Sequence, residues 1–121
     1  MDPERIILEA RPMLQDTLGR LGILKAGDPL DLEKLRDPFS SWLSQQAISD
    51  GDFAFAAALV GAFICEYLIH MGATRHIQGA RVMLRIPLTS GIVREFDPYA
   101  SAVGIIKTKS KLAGFLAQMC T

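Results

Sequence analysis

Between Asp52 and Met71 the chain turns apolar, and no other stretch limits its possible folds as severely. Phe53 to Cys65 is 13 residues without a charge, and only Glu66 and His70 interrupt the continuation to Met71. Such a segment has to leave water on nearly every side, which requires either a bilayer or the middle of a folded domain. The uncharged run is shorter than the roughly 20 residues a bilayer demands. Its alanines and its glycine suit close packing against neighbouring helices. It is therefore expected to be a central buried helix, Phe53 to His70, capped by Asp52 and stopped by Gly72.

The rest of the chain is large enough to cover that helix. With 121 residues, 50% of them hydrophobic, it forms one domain that needs neither disulfide nor metal to stand alone. The domain divides into a helical part, 1–51, and a part, 52–121, that holds the central helix. The apolar content excludes disorder. A formal net charge of zero removes the overall attraction on which a nonspecific nucleic-acid binder depends. Cys65 and Cys120 lie far apart, with no CxxC pair and no histidine at ligand spacing. No metal and no cofactor is expected, and both thiols read as reduced core residues. The N-terminal residues are charged from Asp2 onward and do not form a secretory signal, so a cytoplasmic location is the expectation.

Helix starts are marked by four Asp-Pro pairs, Asp2-Pro3, Asp28-Pro29, Asp37-Pro38 and Asp97-Pro98. Aspartate accepts a hydrogen bond from a free N–H at a helix start, and proline at the first helical position has its φ already set. These pairs predict helices from Pro3 to Leu21, kinked or split at Pro12, from Pro29 to Leu35, from Pro38 to Gln46, and from Pro98 to about Ile106. A last helix, capped by Ser110, runs to Met119. Between Gly72 and Asp97 the period falls to two. Val82, Leu84, Ile86 and Leu88 alternate with Arg81, Met83, Arg85 and Pro87, the pattern of a strand with one buried and one wet face. A turn at Thr89-Ser90-Gly91 returns the chain through Ile92 to Phe96, and Arg75 to Gln78 forms a preceding strand. Pro87 suits an edge or a bulge. The fold class is α+β, with helices on one face of a two- or three-stranded antiparallel sheet.

Chemistry-bearing residues are few. Glu66 is the one carboxylate inside the apolar helix, and an unpaired charge there would cost several kcal/mol. It is expected either on a narrow exposed stripe or paired with a strand arginine such as Arg75 or Arg81. With His70 and Arg75 it forms a candidate buried ion pair or pocket, and an enzyme or ligand-binding domain built on Glu66 and His70 is one alternative. Charge is also segregated: residues 1–66 hold six Lys+Arg and eleven Asp+Glu, residues 67–121 seven and two. Arg81, Met83, Arg85 and Arg94 are the candidate partner-binding residues, extended by Arg75, Lys107, Lys109 and Lys111. They suit an acidic protein partner, whereas the lack of interleaved aromatics argues against RNA. A homo-oligomer pairing the acidic half of one copy with the basic half of another is a further alternative.

The run Gly61-Ala62-Phe63-Ile64-Cys65-Glu66-Tyr67-Leu68 resembles the Gly-Ala-Tyr-Leu-Gly-Glu helix of a group of small bacterial domains of unknown function. In that group the helix leads into a hairpin, here Ala80 to Phe96, then an Asn/Asp-Pro-Phe helix start, here Asp97-Pro98-Tyr99. Lys111 to Leu116 is similar to the group's terminal element. The likeness spans residues 57–118. It implies a non-enzymatic binding module, of a kind that includes immunity proteins that neutralise a toxin domain.

Overall fold

The computed structural model describes residues 2–88 and 90–120. Within them lie five helices and three strands: α1 (Pro3–Arg20), α2 (Leu32–Ser44), α3 (Phe53–His70), β1 (Thr74–Gln78), β2 (Arg81–Pro87), β3 (Val93–Phe96), α4 (Pro98–Thr108) and α5 (Leu112–Met119). Thr89, expected in the hairpin turn, lies outside the described residues.

Helix α3 is the centre. Leu59 to Leu68 are all buried, and α1, α2 and α4 pack around it. By length and composition α3 could cross a membrane, yet its apolarity is accounted for by the elements that cover it. It ends at Gly72, whose φ of 107° allows Ala73 N–H to reach back to the Leu68 carbonyl and Gly72 N–H to reach that of Ile69. Asp52 occupies the N-cap as expected, but its side chain makes no cap hydrogen bond. It accepts instead from the Ser49 hydroxyl.

Two of the Asp-Pro pairs start helices. Asp2 accepts from Glu4 N–H, and Asp97 accepts from the N–H groups of Tyr99 and Ala100. The other two do not. Helix α2 starts at Asp31, which accepts from Lys34 N–H, and runs straight through Pro38. Leu32, Leu35, Phe39 and Leu43 fall on one stripe of a single helix and are all buried. Burying side chains of this size gains about 1.5–3 kcal/mol each, against about 3 kcal/mol for one interior proline. Pro38 also faces solvent, where water can satisfy the carbonyl that the ring leaves unpaired. For the same reason α1 passes unsplit through exposed Pro12. Helix α5 is not capped by Ser110. Its Ala113 N–H donates to the hydroxyl of Ser40, a buried residue of α2, so the cap arrives from 73 positions away.

The sheet has the order β1-β2-β3, antiparallel throughout. Pro87 therefore ends the central strand rather than an edge. It lies opposite Val93 and beyond the last β1 pair, Thr74 with Arg85, where its missing N–H forfeits no ladder bond. Val82, Leu84 and Ile86 are buried against the helices, as the alternation requires. Cys65 is buried, but Cys120 is exposed: the chain is leaving α5 at that point, and core burial ends with Met119.

Candidate functional site

Strand register decides which side chains share the sheet's outer face. His76 lies opposite Met83, Gln78 opposite Arg81, and Arg85 opposite both Thr74 and Glu95. All of these point away from Val82, Leu84 and Ile86, because alternate residues of a strand face opposite sides. Met83 stands half-buried at the middle. Around it the charges are paired. Arg81 Nε is 3.5 Å from Asp97 Oδ2, and Glu95 meets His76 Nε2 at 3.2 Å through one oxygen and Arg85 Nη2 at 3.4 Å through the other.

This face is thus charge-balanced rather than basic. The expected basic surface is corrected in two ways. Arg81 and Arg85 each hold an internal carboxylate, and Arg94 lies on the opposite side, across from Ile86. Arg94 shares its parity with Phe96, and its Nη1 sits 3.4 Å from the Met119 sulfur. That placement was readable from the alternation of Val93 to Phe96. The bridging role of Glu95 and the pairing of Asp97 with Arg81 carry no such signal, since both depend on strand register, whereas the cap role of Asp97 is legible in its Asp-Pro pair.

Under the sheet, Glu66 is paired with Arg75. The Glu66 side chain is 5% exposed, and Arg75 Nη1 approaches its Oε1 at 3.6 Å. Arg75 lies opposite Leu84 and so points from β1 towards α3. His70 does not join them. It is exposed at the end of α3, with Nε2 4.0 Å from Glu33 of α2. Of the candidate trio, then, two members meet, and the proposed Glu66 and His70 dyad is not assembled.

Burial pushes the Cys65 thiol up to about 11, with the negative Glu66 as the second cause. The Tyr99 hydroxyl is also raised, chiefly by burial and then by Cys65 and Glu66. A folded-state acid held neutral in this way stabilises the protein at neutral pH, and the benefit fades once the unfolded thiol ionises. Stability should therefore fall above about pH 9, with a slope of up to about 1.4 kcal/mol per pH unit from the Cys65 thiol and a further contribution from Tyr99 above about pH 10. Chemical denaturation from about pH 8 to pH 11 measures the slope, and Cys65→Ala should flatten it between about pH 9 and pH 10. In the native protein at pH 8, a thiol reagent should modify exposed Cys120 rapidly and Cys65 only on unfolding.

Among the described residues no group of three His, Cys, Asp or Glu side chains is placed to hold a metal ion. Comparison of the chain with protein-family profiles, with characterised proteins and with solved structures finds no match.

Proposed function

We propose that the protein is a binding module whose docking surface for another protein is the open face of the sheet. The observation that carries this reading is the combination on that face: a half-buried methionine surrounded by arginine–carboxylate pairs, with the helices packed on the other side. Methionine offers a polarizable apolar contact, and arginine is enriched at interface cores. Arg81 and Arg85 can exchange Asp97 and Glu95 for the carboxylates of a partner, so an acidic partner surface fits, with association faster at low salt. A toxin domain is the class of partner that the likeness of Gly61 to Leu68 supports. The engagement of Glu66 with Arg75, and of His70 with Glu33, favours binding over catalysis.

Charge reversal at Arg81 would place a carboxylate beside Asp97, so neutral replacements give the cleaner experiment. Met83→Gln with Arg85→Gln should shift stability by no more than about 1 kcal/mol, since exposed ion pairs contribute little. It should also abolish capture of the natural partner from the native host. Unimpaired capture by the folded variant would remove the open face as the docking surface.

A further inference from the structure

Where α2 and α4 end side by side, a groove of about 680 Å³ opens between them. Its floor is apolar, with half-buried Ile48, Phe53 and Ile106 above buried Leu43 and Ile105. Lys107 and Lys109 line it, and exposed Lys111 follows two residues later. Arg5, Arg20, Lys34, Arg36, Arg75, Arg81 and Arg85 each have a carboxylate within 4.0 Å. Among the described residues Lys107, Lys109 and Lys111 have none, nor have Arg11, Lys25 and Arg94, but only these three lysines are clustered within five residues of one another. Lys107 Nζ lies 5.9 Å from the centre of the Phe53 ring. The nearby Asp52 is engaged with Ser49.

Basic residues at a helix C-terminus complement the helix dipole, and this accounts for Lys107. It does not account for the backbone of Lys109. That residue has φ 54° and ψ 35°, and it is the only non-glycine with positive φ among the described residues. After α1 and α3 the chain places Gly22 and Gly72 in positive-φ positions, where glycine is unstrained. A lysine in a conformation that glycine would adopt more easily is explained if its side chain is used.

We infer that this groove docks an acidic segment of a partner protein. An apolar side chain of the segment rests on Ile48, Phe53 and Ile106, and its flanking carboxylates are held by Lys107 and Lys109. The inference goes beyond the open face of the sheet and stands independently of it. The apolar floor favours a peptide over a nucleic acid, because its one aromatic, Phe53, is half-buried with Lys107 over its ring rather than standing as one of a row of exposed stacking rings.

The test uses a fluorescein-labelled peptide of sequence Asp-Glu-Phe-Glu-Asp, titrated by anisotropy and by amide NMR shifts. Saturable binding is expected, weakening with added salt, with shifts centred on Ile48, Phe53 and Ile106. Lys109→Gly should raise the thermal midpoint by relieving the backbone and should weaken the peptide about two- to fivefold. Replacing both Lys107 and Lys109 with glutamine should abolish binding, and Met83→Gln with Arg85→Gln should leave it intact. Unchanged affinity in Lys109→Gly would overturn the assignment. So would equal binding of inorganic polyphosphate, or of the peptide with serine in place of phenylalanine, because either would reveal a general anion surface.

Discussion

Arg75→Met is expected to destabilise the fold by about 2 to 3 kcal/mol, because it leaves the Glu66 carboxylate buried without a counter-charge. Breaking a fully buried pair by removing one partner costs about 3–5 kcal/mol. The lower figure applies here because the Arg75 side chain is 34% exposed, and water screens part of the interaction. Glu66→Gln should cost less, since it removes the charge whose burial is the difficulty. In the double variant Glu66→Gln with Arg75→Met, much of the loss should be recovered, which gives a coupling energy in a denaturation cycle. The same cycle with Arg81 or Arg85 should show none, because those residues hold Asp97 and Glu95 on the other side of the sheet. Coupling of Glu66 to Arg81 instead would contradict the register of β1 on β2.

The second large effect concerns Gly61. A Cβ built there meets the Tyr99 ring at three carbons, Cδ1 being the nearest, with Cε1 at 2.8 Å and Cγ at 2.9 Å. Helices α3 and α4 approach through this point. Alanine is normally the more favourable residue in a helix interior, by about 1 kcal/mol. Here the order is expected to invert, and Gly61→Ala should destabilise by about 1–3 kcal/mol through overpacking. Gly61→Leu should cost more. In a Tyr99→Leu background the alanine penalty should shrink or change sign, since the ring that opposes the new methyl is gone. A Gly61→Ala protein that melts at or above the wild-type temperature would show that α3 and α4 do not meet here.

Much of the architecture was legible because it rests on short-range physics. The apolar run from Phe53, the glycine at 72 and the alternation from Arg81 to Pro87 each specify an element through neighbours a few residues away, and these elements were located to within a residue or two. The candidate site was legible in part. Alternation placed Arg81, Met83 and Arg85 together on the open face, and the solitary charge in α3 implied a partner for Glu66. Charge counting along the chain was a weaker guide. It grouped Arg94 with the other arginines and did not assign Asp97 to Arg81 or Glu95 to Arg85, because a sum over sequence contains no information on which carboxylate lies across a strand pair.

Local hydrogen bonding, helix-stop geometry and the two periods of apolar residues follow from the sequence itself, since each is settled by groups close together along the chain. The four Asp-Pro pairs show where that stops. Asp2-Pro3 and Asp97-Pro98 begin helices, whereas Asp37-Pro38 lies inside one, although the dipeptide is the same. What differs is the stripe from Leu32 to Leu43, whose burial against the core outweighs one lost hydrogen bond on an exposed face. The cap of α5 by Ser40, the choice of Arg75 for Glu66, and the bridge of Glu95 between His76 and Arg85 likewise belong to the tertiary structure alone. Each joins groups far apart in sequence, and such contacts acquire their energy only when packing has removed water from between them.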